Sequence, residues 1–214
     1  SDVYKRQVEV TVSGAVDGAS VTVAVADGPT GDAPVVDGIA RVTLTFDDLH
    51  PWSPDDPHLY DLIVTCGADQ VDSYVGAREV GVATDDAGIR RLTLNGEPLF
   101  HLGLLDQGWW PDGLYTAPTD EGLAFDIEAQ KAMGFNTIRK HVKVEPARWY
   151  HHADRLGMLV WQDMPSTWVD KLKMHAVIEA GGEISEADFT EIAPADDPAG
   201  FRAELDAMLD ALHA

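Results

Sequence analysis

The sequence predicts a chain of two halves, a β-sandwich followed by a parallel α/β unit. Three observations carry this. From Val8 to about Ala83, apolar residues recur at every second position. From Thr119 onward they recur at helical spacing between short apolar runs. Between the two patterns lies a break rich in turn-formers, Thr84-Asp85-Asp86-Ala87-Gly88. A length of 214 residues accommodates both halves.

In the first half, Val8, Val10 and Val12 alternate with polar residues, as do Val21, Val23 and Val25, then Val42, Leu44 and Phe46, then Leu62 and Val64. Such alternation marks half-buried antiparallel strands. The spacers are turn-formers: Ser13-Gly14, Asp17-Gly18, Asp27-Gly28-Pro29 and Gly67-Ala68-Asp69. Several short strands over residues 8–84 predict an immunoglobulin-like β-sandwich, by architecture alone. The single cysteine, Cys66, excludes the paired cysteines of antibody domains and reads as a small core residue. The stretch His50 to Tyr60 holds three prolines and reads as a rigid connection. Its Trp52 and Tyr60 are expected to pack against the sandwich or the next domain. Residues 1–7, Ser1 to Gln7, resemble the translation of a sequencing-library adapter and are set aside from the fold. The true N-terminus is then expected to be missing, which leaves the compartment open.

The second half is assigned to residues 88–214. Arg91 to Phe100 carries apolar flanks around Asn95-Gly96, a hairpin signal. A strand then runs into Leu104-Leu105-Asp106-Gln107-Gly108-Trp109-Trp110. A helix follows from Thr119, with Asp120 and Glu121 at its positive end and Lys131 at the other. Phe125, Ala129, Ala132 and Met133 are expected to form its buried face, and Gly134 its stop. Phe135 to His141 reads as a strand. A second helix opens at Glu145-Pro146, buries Trp149, Ala153 and Leu156, and stops at Gly157. Met158 to Gln162 is a third strand, apolar on both faces as a buried parallel strand should be. Val169 to Ala195 is acidic and weakly patterned. A last helix starts at Asp197-Pro198, with Phe201, Leu205, Met208, Leu209 and Leu212 as its apolar stripe. Three strand–helix units leave an open sheet edge, so the chain is expected to be cut from a longer one.

The charge bounds the partners. Against 15 basic residues stand 37 acidic ones, a net charge of −22. That surface repels nucleic acid and anionic membranes, and both are excluded as partners. No apolar run reaches membrane-spanning length. No zinc-type cysteine spacing and no other metal-ligand spacing occurs, and no cofactor is expected. The oligomeric state stays open.

Several stretches together resemble a known family. Trp52-Ser53-Pro54-Asp55-Asp56-Pro57-His58-Leu59-Tyr60 and Gly76-Ala77-Arg78-Glu79-Val80 resemble the immunoglobulin-like domain of glycoside hydrolase family 2. Leu94-Asn95-Gly96-Glu97-Pro98-Leu99-Phe100 resembles the entry into that family's catalytic (β/α)8 TIM barrel. Leu105 to Tyr115 and Ile138 to Tyr150 are similar to a bacterial, β-galactosidase-like branch. The resemblance implies a sandwich followed by the first three βα units of a barrel, truncated before its fourth strand. It implies a retaining β-glycosidase acting on a carbohydrate. One glutamic acid would protonate the leaving oxygen and a second would attack the anomeric carbon, the two carboxyls roughly 5 Å apart. In the family these lie at the ends of the fourth and seventh barrel strands, so the chain as given is expected to be inactive. The family includes β-galactosidases, β-glucuronidases and β-mannosidases, and the resemblance does not choose the sugar. The magnesium and sodium used by some members are not carried over. A non-catalytic carbohydrate-binding or adhesion module is the alternative.

Ligands in parallel α/β architectures are handled at the C-terminal strand ends. The candidates there are Asp106, Trp109, Trp110, Arg139, His141 and Asp163. Asp106 is a candidate acceptor for a sugar hydroxyl. Trp109 and Trp110 offer aromatic faces to sugar C–H groups, or plug the barrel mouth. Arg139 matches an arginine of the family motif and could orient a carboxylate and keep it ionised. His141 is either the family's active-site histidine or a structural one. Asp163 stands where many members carry a glutamate, and could bind a hydroxyl, support a catalytic group or cap its loop. His151 and His152 read as surface or packing residues.

Overall fold

The computed structural model describes residues 4–14, 16–165 and 197–212. The first half is a sandwich of two antiparallel sheets. In one, β1 (Tyr4–Thr11) pairs with β4 (Ile39–Phe46). The other has the order β3-β2-β5-β6, with β2 Ser20–Val25, β3 Thr30–Pro34, β5 Tyr60–Cys66 and β6 Asp69–Val75. Period two decides which side chains meet: Val21, Val23 and Val25 of β2 face Ala40, Val42, Leu44 and Phe46 of β4, with Val35 and Leu62 completing the core. Burying each of the larger side chains is worth about 1.5–3 kcal/mol. Cys66 packs against this core without being fully buried.

Two strands lack the alternation, and both are edges. β3 (Thr-Gly-Asp-Ala-Pro) ends on a proline, which an edge tolerates. β6 is largely exposed, so no buried face imposes a period. Residues 4–7, set aside in the sequence reading, extend β1 and pair from Tyr4↔Phe46 to Gln7↔Thr43. Strands pair through backbone groups, so an extended segment leading into Val8–Thr11 continues the ladder whatever its side chains.

Thr84–Gly88, where the boundary is expected, forms a turn inside a third sheet. β7 (Val80–Thr84) pairs with β8 (Arg90–Leu94), and β8 with β9 (Glu97–Pro98). Asp85 builds that turn: its Oδ1 accepts from the Ala87 and Ile89 amides at 3.0 and 2.8 Å. The Asn95-Gly96 hairpin is present, with φ of 53° and 84°, both positive as a tight two-residue turn requires.

The second half is a parallel sheet of order β10-β11-β12, with β10 Gly103–Asp106, β11 Thr137–Lys140 and β12 Leu159–Gln162. Helix α1 (Asp120–Ala132) begins at Thr119, whose side chain accepts from the Gly122 amide. Helix α2 (Ala147–Leu156) follows Pro146 and ends at Gly157 in the left-handed conformation, φ 75°. Both connections place a helix between parallel strands, as parallel pairing demands. Ile127, Ile138, Trp149, Ala153 and Met158 form the core. The face expected for α1 is wrong. Phe125 and Met133 are 62% and 63% exposed, while Ala124, Ile127 and Gln130 are buried. The helix carries two apolar stripes at similar spacing, and the one containing Ile127 meets α2. Helix α3 (Pro198–Leu212) forms as expected, with Asp197 Oδ1 accepting from the Gly200 amide at 2.9 Å. Val169–Ala195 lies outside the described residues. No described helix is long and apolar enough to cross a membrane.

The connection His50–Tyr60 joins the halves. Trp52 is fully buried, and its Nε1 donates to the Asp154 carbonyl of α2 at 2.7 Å. Arg78 Nη1 pairs with Asp154 Oδ1 at 2.8 Å, and the Tyr74 hydroxyl donates to Asp154 Oδ2 at 3.1 Å. Lys131 donates to the carbonyls of Pro54 and Gly157 at 2.5 and 2.9 Å. Tyr60 turns back and packs on Phe46 of the sandwich, with ring centroids 5.2 Å apart.

Candidate functional site

The parallel register sets the site. Leu105, Arg139 and Trp161 stand side by side, and so do Asp106, Lys140 and Gln162 one residue further on. Neighbouring residues of a strand point to opposite faces. The Lys140 row therefore faces the helices and the Arg139 row faces away from them. Lys140 is 1% exposed with its ammonium 4.5 Å from the Trp149 ring centre, whereas Leu105 and Trp161 are half exposed.

Beneath the strand ends lies a buried charge cluster. Lys140 Nζ is 3.0 Å from Asp106 Oδ2 and 2.6 Å from Glu145 Oε1. Lys143 Nζ is 3.0 Å from the same Glu145 oxygen and donates to the Gly108 carbonyl at 2.7 Å. Asp106 Oδ1 accepts from the Gly108 amide at 2.7 Å. Gly108 is thus held at both its N–H and its C=O. Its φ is +62°, and a Cβ there would strike Glu145 Oε1 and lie 2.8 and 2.9 Å from the two lysine nitrogens. Only glycine fits this position. Lys143 also lies 4.5 Å from the Tyr115 ring centre. Burial pushes the Asp126 carboxyl above its usual range, and the Asp106 charge adds to this against the opposing pull of Lys140. Burial likewise pushes the Tyr150 phenol up to about 12. That hydroxyl donates to Gln162 Oε1 at 2.5 Å and accepts from the Glu145 amide at 3.2 Å.

Above the cluster, four polar side chains gather on the other face. Arg139 grips Asp163 with both arms of its fork, Nε to Oδ1 at 3.1 Å and Nη2 to Oδ2 at 3.0 Å. That hydrogen bonding, with the Arg139 charge, holds the Asp163 carboxyl below its ordinary range and raises Arg139 in return. His141 adds its charge to the same effect. Gln107 Nε2 meets His141 Nδ1 at 3.0 Å. The backbone fixes both neighbours: the His141 amide donates to the Asp106 carbonyl at 2.9 Å and the Asp163 amide to the Lys140 carbonyl at 3.1 Å.

The sequence candidates divide accordingly. Arg139, His141 and Asp163 come together. Asp106 does not join them: it is buried, and its two oxygens are engaged by Lys140 and Gly108. It stands one residue out of phase with the open face. Trp109 is 62% exposed and rests edge-on against Tyr115, ring centroids 5.1 Å apart. Trp110 exchanges backbone hydrogen bonds with Leu114 and sets its ring near Gly122 at the start of α1, a packing role. His151 rests edge-on against Tyr74, and His152 is buried against Asp120 at 3.0 Å, both consistent with packing. Sequence reasoning missed Gln107, Lys140, Lys143 and Glu145. The available signal was period two itself, which sends Lys140 to the face opposite Arg139 and His141 and so into the interior. Among the described residues, no group of three His, Cys, Asp or Glu side chains is placed to hold a metal.

Comparison with known proteins extends the picture. The family model described as "Glycosyl hydrolases family 2" matches residues 2–81. A β-galactosidase of Streptococcus thermophilus is 30% identical over 132 residues, 61% of this chain and 13% of that protein. An exo-β-D-glucosaminidase of Amycolatopsis orientalis is also 30% identical over 132 residues, 56% of this chain and 12% of that one. A crystal structure of a glycosyl hydrolase family 2 member from Bacteroides cellulosilyticus superposes with a TM-score of 0.65 at 19% identity, covering 90% of this chain and 27% of that one. The chain therefore spans about an eighth of the length of these two curated relatives.

Proposed function

We propose that this chain, which belongs to glycoside hydrolase family 2, is one wall of the active site of a retaining β-glycosidase of β-galactosidase-like kind. The three parallel strands are the opening βα units of a (β/α)8 barrel, and the sandwich is docked behind α2. The supporting observation is the convergence of Gln107, Arg139, His141 and Asp163 at the C-terminal strand ends. That is where such architectures handle ligands.

In this reading the wall binds and orients a sugar. Asp163, held ionised by Arg139, keeps lone pairs free to accept from a hydroxyl. His141 supplies a ring nitrogen, and Trp109 an exposed aromatic face for sugar C–H groups. A retaining mechanism needs an acid/base and a nucleophile, two carboxyls roughly 5 Å apart with neither tied up. The strand-end carboxylates here are committed, Asp106 and Glu145 to lysines and Asp163 to Arg139. None of these three is placed to serve as acid/base or nucleophile, and these 214 residues alone should leave glycosides intact.

The experiment compares the 214-residue chain with a longer polypeptide that continues through the expected Asn-Glu pair and the later strand-end glutamate. Each is given chromogenic β-galactoside, β-glucuronide and β-mannoside. Turnover by the longer protein alone, fastest on the galactoside, is expected. Turnover of none by a longer protein with both glutamates intact contradicts the assignment. It would favour a carbohydrate-binding module.

A further inference from the structure

The contact between Gln107 and His141 carries chemical information beyond its distance. With the Gln107 amide nitrogen turned toward the ring, as here, it donates and His141 Nδ1 accepts at 3.0 Å. A neutral imidazole that accepts at Nδ1 carries its proton on Nε2. The residue after Gln107, Gly108, is clamped. Its amide is held by Asp106 and its carbonyl by Lys143, over the oxygen that Glu145 shares between two lysines. The opposite side of His141 is fixed by its amide bond to the Asp106 carbonyl.

We propose that Gln107 is a positioning residue that locks His141 in the Nε2–H tautomer, and that the buried Lys143–Glu145 pair holds Gln107 in place through Gly108. His141 is thereby a fixed hydrogen-bond donor, able to give its Nε2–H to a hydroxyl or glycosidic oxygen but not to take a proton at Nδ1 without losing Gln107. That it does so toward a sugar rests on the glycosidase reading above; the tautomer lock does not.

The ring nitrogens of His141 in the 15N-histidine-labelled 214-residue chain read the lock directly, at a pH of about 8.5 where an ordinary imidazole is neutral. The wild-type chain should show a protonated Nε2 and a bare Nδ1. Gln107→Glu replaces a donor by an acceptor of the same shape on an exposed pair, so the fold is spared. It should move the proton to Nδ1, changing the tautomer ratio by about tenfold or more. Lys143→Met, with thermal melting to confirm folding, should relax the ratio several-fold toward that of a free histidine. If Gln107→Glu leaves the ratio unchanged, the lock is wrong. If only Lys143→Met does so, the clamp is wrong. Should Lys143→Met fail to fold, Lys143→Gln, which keeps a polar end of shorter reach, decides the clamp in the same measurement. An inverted tautomer with no glycoside cleavage by the longer protein would leave the lock standing and remove the glycosidase reading; cleavage with an unchanged tautomer would do the reverse.

Discussion

Glu145→Gln is the sharpest perturbation of the buried cluster. The side chain is 4% exposed, and one of its oxygens lies 2.6 Å from Lys140 Nζ and 3.0 Å from Lys143 Nζ. The amide keeps the shape and an acceptor oxygen but removes the charge. Lys140, 1% exposed, then keeps Asp106 as its paired carboxylate, while Lys143, 3% exposed, loses its own. Removing one partner of a buried pair costs about 3–5 kcal/mol, and the retained acceptor places this substitution near the lower end. For a chain of this size, about 3 kcal/mol corresponds to a fall in Tm of about 6–12 °C. A control comes from Glu9→Gln, whose partner Arg41 lies 2.9 Å away with both side chains more than half exposed. Exposed pairs are worth about 1 kcal/mol or less, so that variant should melt within about 4 °C of wild type. Thermal unfolding followed by near-ultraviolet circular dichroism at pH 7 compares the three proteins. Glu145→Gln melting together with the Glu9→Gln control would show that water reaches the lysines and that the cluster does not clamp Gly108.

Two other predictions concern groups with displaced titrations. The Asp163 carboxyl, held down by Arg139, should titrate below the ordinary aspartate value of about 3.9. A depressed folded pKa means that the pair's stabilisation is present above the unfolded pKa and is lost as pH falls through the folded one. Carbon-detected NMR of Asp163 should show the midpoint climbing back in Arg139→Gln; an unmoved midpoint contradicts the bidentate contact. At the seam, Asp154→Ala removes a partly exposed ion pair with Arg78 and the acceptor of Tyr74, and should cost about 1–2 kcal/mol. The Tyr74 phenol, pushed up to about 12 first by burial and then by Asp154, should fall but stay above 10 in that variant, as read by its ultraviolet absorbance.

The sequence disclosed what repeats and what turns. The β2 and β4 valines show their alternation because one face is buried, and Asn95-Gly96 announces its hairpin because few other pairs accept two positive φ values. β6 stayed hidden because it is largely exposed and no buried face imposes a period, and β3 because its partly buried positions are Gly31 and Ala33, too small to read as an apolar stripe. Helix α1 was placed correctly and turned the wrong way, because two stripes of similar apolarity compete and only contact with α2 selects between them. Arg139, His141 and Asp163, chosen for their position at strand ends, lie near one another. Asp106 lies one residue out of phase with them, on the buried face, where Lys140 and Gly108 engage its oxygens. Gln107 and the lysine cluster were not legible as partners. Lys143 and Gly108 lie 35 residues apart and meet only after β10 and β11 pair.

The central claim is that this wall serves a glycosidase that retains configuration. The most direct measurement follows the first product released by the longer protein from an aryl β-galactoside, using proton NMR of the anomeric signal before mutarotation. The account predicts that β-galactose appears first. α-Galactose as the first product, or no release at all with the downstream glutamates intact, would contradict it.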